Sequence, residues 1–464
     1  MMAGFSIADV IGNDVCIGCG ACRVATGGRI DVGMNEHQMF LANPSGASST
    51  DVELADRACP FSDAARDEDG IAADLFGSNL KNHEEKTGYY HSLRVGRVQS
   101  DDVVRSSSGG LTTYLLGQLL DAGEIDGIIH VGESSASSGV LFSYSVSETR
   151  DDLDGRRKSQ YYPCQFSDAM LAVRGNGKRY AIVGVPCFIK ASRLLTEQDA
   201  VLKKQLVYHF ALCCGHLKST AFAEAMAWQL GIAPHDLACV DFRWKVEGRP
   251  ANSYSFAAVA RSDGNWRTAQ SGSLLGGNWG HAMFQPKGCE FCDDIFGETA
   301  DICFGDAWLP RFDGEWRGTN IILSRNAFLD GFLTAGAERK EIWLDDLSVD
   351  ELINSQAGSF RHRWFGVSVR LAEAQKRGEQ VPHKRKNSYL RKVSFLRRRV
   401  VLIRQQVSRG SHRHFLTAKR LGDFRIFEAG MSADIRKMNV LHKLARLARS
   451  LHSLIQTAKQ IFKA

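Results

Sequence analysis

Apolar residues recur at helical spacing over residues 111–120, and residues 127–131 (Gly-Ile-Ile-His-Val) read as a short buried strand. Residues 180–185 predict a second strand, residues 205–212 a third, and residues 221–230 a helix. Further strand-like runs stand at 253–260 and 320–324. From about residue 88 onward this alternation predicts an α/β domain with a mixed or largely parallel sheet. Residues 1–65 differ: few long apolar runs, hence a small loop-rich module that cannot bury enough surface by itself. Near the end, apolar residues at 441, 444, 447, 451, 454, 455, 458, 461 and 462 form one stripe of an amphipathic helix, ringed by Lys443, Arg446, Arg449 and Lys459. A cationic run from 384 to 404 is mixed with Phe395, Leu396, Val400, Val401, Leu402 and Ile403. No stretch reaches the roughly 18 uninterrupted apolar residues of a membrane span, and there is no tandem repeat.

Charge divides the chain. The 464 residues carry a formal net charge of +6, with 44% hydrophobic and 24% charged residues, an ordinary balance for a folded protein. Residues 375–464 hold 23 Lys and Arg against 4 Asp and Glu, while the rest holds 35 against 48. An acidic body and a basic tail therefore meet near residue 375. The expected segments are 1–70, 88–180, 181–374 and 375–464. Such a tail fits an anionic membrane surface, a docking partner, or the acidic body itself, with the first two favoured. It contains no base-reading module, so no nucleic-acid partner is expected. The start resembles neither a signal peptide nor a transit peptide, and the cysteines are not spaced as in a secreted disulfide protein. The expected compartment is the reducing cytoplasm, with a peripheral place at the inner membrane surface open to it.

The twelve cysteines carry the chemistry. Cys16, Cys19 and Cys22 form a Cys-x-x-Cys-x-x-Cys loop, and Cys59 is followed by Pro60. Two-residue gaps let three sulfurs turn towards one cubane, and a remote Cys-Pro supplies the fourth corner, the pattern of a [4Fe–4S] cluster. Zinc is the alternative. A second set is looser: Cys289-x-x-Cys292, Cys187 after Val-Gly-Val-Pro, and the Cys213-Cys214 pair. A second cluster from Cys187, Cys213 or Cys214, Cys289 and Cys292 is one reading; zinc or a redox disulfide is another. Cys164, Cys239 and Cys303 are expected to be packing thiols.

Taken in order, six pieces resemble one family, the beta subunit of coenzyme F420 hydrogenase/dehydrogenase. They are Cys-Ile-Gly-Cys-Gly-Ala-Cys at 16–22, Ser-Ser-Gly-Gly-Leu-Thr-Thr at 107–113, Gly-Glu-Ile-Asp-Gly at 123–127, Val-Gly-Val-Pro-Cys at 183–187, Lys-Gly-Cys-Glu-Phe-Cys-Asp-Asp at 287–294 and Ala-Asp-Ile-Cys-Phe-Gly-Asp-Ala-Trp at 300–308. The resemblance spans about residues 10–330 and leaves the basic tail uncovered. It implies an iron–sulfur flavoprotein oxidoreductase. Its fold would be a small ferredoxin-like [4Fe–4S] module, a mixed α/β flavin-binding domain (α+β or α/β), and a helical basic C-terminal tail. The implied cofactors are FAD and [4Fe–4S] clusters, the second held by Cys187, Cys289, Cys292 and Cys214 of the pair. A ferredoxin-like donor or partner redox subunit would supply electrons for a small-molecule substrate, of which coenzyme F420 is one candidate. Relatives of this type also occur in bacterial polysaccharide gene clusters, which leaves a non-catalytic electron-transfer role as the alternative.

Small residues at 106–110 precede the predicted helix, where free N–H groups and the helix dipole favour an anion. With the resemblance, Ser107, Ser108, Gly109, Gly110 and Thr112 are expected around a flavin pyrophosphate, with Arg105 as countercharge. Plain helix capping is the alternative. Asp301 and Asp306 are candidates for the flavin or substrate region, and equally for turns. His216 is a candidate proton donor or a buried structural ring. No GxGxxG fingerprint or phosphate-loop lysine is present, which removes support for Rossmann dinucleotide binding and nucleotide hydrolysis.

Overall fold

The computed structural model describes residues 4–135, 139–385 and 393–461. Part of the cationic run (386–392) and position 462 of the apolar stripe lie outside these residues, as do the side chains of 451, 454, 455, 458 and 461.

The centre is an eight-stranded mixed sheet. Its strands run in the spatial order Ile342–Asp346, Ser92–Val98, Asn320–Ser324, Ile302–Asp306, Leu206–Leu212, Tyr180–Gly184, Gly127–Glu133, Phe142–Ser147. The four strands from Ile302–Asp306 to Gly127–Glu133 are parallel; those flanking them pair antiparallel. Neighbouring residues point to opposite faces. Ile128, Ala181, Phe210, Ile302 and Ile322 pack on one side beneath Leu111–Asp121 and Ala327–Glu338, while Ile129, Ile182, Ala211, Cys303 and Ile321 pack on the other. Burial on both faces is why the parallel strands read as unbroken apolar runs. A second, three-stranded antiparallel sheet is made of Leu237–Trp244, Ser255–Ala260 and Trp266–Gln270.

The N-terminal module is more helical than its sequence predicts. Helices Ile7–Gly12, Ala21–Ala25, Ser49–Ala58 and Glu68–Phe76 surround one hairpin, Asp31–Met34 with Phe40–Asn43. Ser6 and Ser48 each close a capping box with the aspartate three residues on, which starts two of these helices without any long apolar stripe.

Much of the basic tail packs back on the body, against the favoured expectation of a surface free for a membrane or partner. Phe395–Leu421 buries Val400, Val401, Ile403, Val407 and Phe415, and its cations find the body's acids: Lys419 meets Glu224 at 2.8 Å and Arg409 meets Glu290 at 3.5 Å. At Gly422 (φ 69°) the chain reverses into Phe424–Ile461, whose Phe427, Met431 and Met438 are buried. Among the described residues no helix is long and apolar enough to cross a membrane.

A buried ion network ties the segments together. Arg385 forks onto Glu298 at 3.0 Å and approaches Asp293 at 3.6 Å, and Lys190 meets Glu68 at 3.2 Å. All five side chains are at least nine-tenths buried. Replacing one partner leaves charge unpaired in the interior, so Arg385→Met is expected to lower unfolding stability by about 3–5 kcal/mol. Urea denaturation of the variant beside the parent checks this.

Candidate functional site

The Cys16–Cys22 loop can form because Gly18 (φ +64°) and Gly20 (φ +90°) take left-handed backbone angles. A Cβ on Gly18 would stand 2.3 Å from that of Phe40, so the hairpin seals the loop. Cys22 sits in the helix Ala21–Ala25, and Cys59 caps the end of Ser49–Ala58. The four sulfur-bearing side chains line one small apolar cavity with Ile7, Val10, Val32 and Phe61. Burial pushes the Cys59 thiol up to about 12, with Cys16 adding to it; Cys19 and Cys22 are pushed up by burial and by the other sulfurs of the set.

The second set gathers where parallel strands end. Cys187 opens the helix Pro186–Gln198 directly after Tyr180–Gly184, and Cys214 follows Leu206–Leu212. Cys289 lies in the turn Lys287–Glu290, with Cys292 just beyond it. Burial raises the Cys187 thiol far above its ordinary value, and Cys292, Cys214 and Cys289 act on it in turn. Into this group reaches Arg363, itself buried. Its Nη1 donates to Cys292 Sγ at 3.1 Å, its Nη2 to Cys214 Sγ at 3.4 Å, and its Nε to the Gly215 carbonyl at 3.1 Å. Leu217 N–H donates to Cys289 Sγ at 3.3 Å. Cys213 turns away, its sulfur 3.6 Å from that of Cys303. Cys164 faces the Phe142 carbonyl, and Cys239 a carboxylate oxygen of Glu133. Among the described residues no three His, Cys, Asp or Glu side chains converge on a single-ion point.

The two sets adjoin. Cys16, Cys59 and Cys187 pack on the same cluster of Phe5, Val10, Val15, Phe61 and Phe291. A Cβ on Gly288 would lie 2.3 Å from the Val15 carbonyl, so that glycine lets the Cys289 turn press against the N-terminal module.

Beyond the C-terminal ends of the parallel strands opens a large cleft, the place where α/β sheets carry ligands. Ser107, Ser108, Gly110, Thr112, Asp306, Cys214 and His216 line it, together with Tyr161 and Trp279. The loop is firmly held. Ser107 Oγ accepts from Ser159 N–H at 2.7 Å, Ser108 Oγ donates to the Thr319 carbonyl at 3.0 Å, and Lys245 donates to the carbonyls of Val103 and Ser108, both at 2.9 Å. Asn320 Oδ1 accepts from Leu111 N–H at 3.1 Å, and Gly110 caps the helix with φ 80°.

Three expected residues stand elsewhere. Asp301 precedes its strand and so lies at the far end of the sheet from the cleft, bound to Arg193 at 3.0 Å and to His209 N–H at 2.7 Å. Arg105 points to solvent beside Asp102. Gly109 lies under the loop, where a Cβ would stand 2.8 Å from the Gly96 carbonyl. Asp306 reaches the cleft edge but is occupied by a two-pronged ion pair with Arg243 at 3.0 and 3.1 Å. His216 lines the cleft beside Arg404, and burial, Lys218 and Arg404 hold its pKa far below the ordinary value. Sequence reading passes over Arg156, Arg157 and Lys158, a cationic triplet on the cleft wall. It also passes over Arg363, which lies 71 residues from Cys292 with no local motif to mark it.

Two halves of one family description match this chain. The N-terminal part of the coenzyme F420 hydrogenase/dehydrogenase beta subunit matches residues 95–170, and the C terminus of that subunit matches residues 177–350. Together they cover more than half of it. The chain belongs to the family of coenzyme F420 hydrogenase/dehydrogenase beta subunits. Both strand-end cysteines, the 106–110 loop and the Cys289 turn fall inside the matched residues; the N-terminal cysteine loop precedes them. The F420H2 dehydrogenase of Methanosarcina mazei has a subunit 26% identical to this chain over 211 residues, 45% of this chain and 55% of that protein. The chain thus spans about half the length of this curated relative. A polypeptide of the F420-reducing [NiFe] hydrogenase complex from Methanosarcina barkeri, solved as a xenon derivative, aligns with 18% identity over 66% of this chain and 99% of its own, with a TM-score of 0.49. That likeness is too slight to carry an argument.

The cleft wall gives a pH test. His130 faces Ser147 Oγ at 2.7 Å, and burial, helped by Arg156, lowers its pKa to about 3. An unfolded histidine titrates near 6.5, so below that pH the unfolded chain takes up a proton that the native one refuses. Stability is therefore expected to fall as pH drops from 6.5 towards 4, by up to about 1.4 kcal/mol per pH unit for this residue. Urea midpoints at several pH values should show a shallower slope for His130→Gln than for the parent.

Proposed function

We propose that this chain is an iron–sulfur flavoprotein component of an oxidoreductase. Cys16, Cys19, Cys22 and Cys59 would hold one [4Fe–4S] cluster, Cys187, Cys214, Cys289 and Cys292 a second, and the cleft an FAD. The observation that carries this is the arrangement of the sulfurs: two sets of four buried or half-buried thiols adjoin through one apolar cluster touched by Cys16, Cys59 and Cys187, and both Cys16 and Cys214 border the cleft. Four thiolates around a cavity suit a cubane better than a zinc ion, which draws its ligands to one point.

The donor sets fit the groups. Thiols buried this deeply ionise only beside compensating positive charge, and Arg363 on Cys214 and Cys292 supplies part of it. In the cleft, Gly110, Thr112 and the start of Leu111–Asp121 would face a pyrophosphate, with Arg157 and Lys158 as its cations and Tyr161 and Trp279 as apolar walls. Bound flavin would supply hydride transfer and couple one-electron carriers to a two-electron substrate. The protein's part is to hold and orient: Lys245 and Asn320 fix the loop, Arg243 with Asp306 stiffens the cleft edge, and His216 packs against Trp279 with ring centroids 4.6 Å apart. Coenzyme F420, named in the family description, is the first substrate to try. A ferredoxin or a partner redox subunit is the first electron donor to try, since the Methanosarcina mazei relative is named as a subunit of a dehydrogenase.

Anaerobic purification followed by iron, zinc and flavin analysis tests the reading. The expected result is about eight iron atoms and one flavin per chain, four irons for each cluster. Cys19→Ser should remove one EPR signal and Cys292→Ser the other. A colourless protein with zinc defeats the reading; iron without flavin reduces it to non-catalytic electron transfer.

A further inference from the structure

The two cysteine sets differ in the cations beside them, although the Asp294 carboxylate acts on Cys214 and Cys292 as Asp56 does on Cys59. The charges acting most on the first set are its own sulfurs and, at Cys59, the Asp56 carboxylate. Its N–H···S contacts are neutral backbone ones: Gly18 donates to Cys16 Sγ at 3.4 Å, and the N–H groups of Ala21, Arg23, Phe61 and Ser62 face the other three sulfurs. The second set has a guanidinium fork on Cys292 and Cys214, and that arginine cannot swing away. It is 3% exposed, and the carbonyls of Gly215 and Asp294 accept from its remaining N–H groups. Lys384 adds positive charge near Cys292, and the neighbouring Asp293 is matched by Lys384 and Arg385.

Cationic hydrogen bonds to a cluster's sulfurs favour its more negative, reduced form, because they stabilise the added electron more than the oxidised state. We propose that Arg363 is a potential-setting residue, holding the Cys187/Cys214/Cys289/Cys292 centre at a higher reduction potential than the Cys16/Cys19/Cys22/Cys59 centre. An ordering of this sign makes the N-terminal centre the stronger reductant and the centre beside the cleft the better electron acceptor. The role is positioning: the guanidinium acts on sulfur and touches no substrate. This rests on the reading of two iron–sulfur centres given above.

The test is an EPR-monitored potentiometric titration of the anaerobically purified full chain. Cys19→Ser and Cys292→Ser assign the two signals. In the parent, the signal lost in Cys292→Ser is expected to have the higher midpoint. Arg363→Gln should shift that midpoint downward and leave the other in place, while Arg363→Lys, which keeps the charge but loses the fork, should fall between. A higher midpoint for the signal lost in Cys19→Ser overturns the proposal. So does an unmoved second midpoint in Arg363→Gln, or, where that variant does not fold, an unmoved one in Arg363→Lys. Iron content separates the failures: about four irons and one signal in the parent defeats the two-centre reading itself, whereas about eight irons with the wrong order defeats only the role of Arg363.

Discussion

A charge buried inside a protein needs opposite charge or aimed dipoles beside it, and the interior around Cys214 and Cys292 gives Arg363 such acceptors. Arg363 ends the helix Ala357–Arg363 with its fork on Cys214 and Cys292. Arg370, one helix later, donates to the Glu290 carbonyl at 2.5 Å, between the two cysteines of the Cys289 turn. Arg404 comes from the tail helix and faces His216 and Gln285, both at 3.3 Å. Three buried guanidiniums from three helices thus stand around residues 214–216 and 285–294, and Glu290 offers a carboxylate to Gln405 and Arg409. Cations in such number would repel one another ruinously around an apolar core. Here sulfur, backbone carbonyls and the Glu290 carboxylate accept from them.

The same constraint explains why the tail is basic. Its cations answer acids of the body, Lys419 with Glu224 and Arg385 with Glu298, while Arg404 reaches further in. The composition break near residue 375 falls in the last turn of Phe365–Lys376. It marks a change of partner: before it the chain folds on itself, after it the chain covers what came before.

What could be read from the sequence follows from how local each signal is. Strands buried on both faces announce themselves as apolar runs, and Gly127–Glu133, Tyr180–Gly184, Leu206–Leu212 and Asn320–Ser324 were all legible. Ser92–Val98 was not, because its two arginines and a glycine break the run while its partners on both sides supply the burial. The cysteine loops are local too, but the choice between Cys213 and Cys214 is not. Adjacent residues leaving a strand point to opposite sides, and only the neighbours decide: Cys303 for one, Arg363 for the other. Asp301 and Asp306 look alike in sequence and lie five residues apart. At about 3.3 Å per strand residue that is one whole strand, so the cleft receives Asp306 and the opposite end of the sheet keeps Asp301.

The tail's amphipathic stripe shows the limit of periodicity in another way. A helix turns about 100° per residue, so positions four and then seven apart stay on nearly one face. Phe427, Met431 and Met438 follow that rhythm and are all buried. Residues spaced three apart instead fall back about 60° at each step. The stripe at 441, 444 and 447 therefore walks off the docked face: Leu441 is half-buried, whereas Leu444 and Leu447 are 45% and 53% exposed, beside Val440 at 57%. One continuous helix thus carries two apolar faces in succession, the first matched to the acidic body and the second turned away from it. A helical period fixes that some surface must be covered, and the phase of the period decides which one.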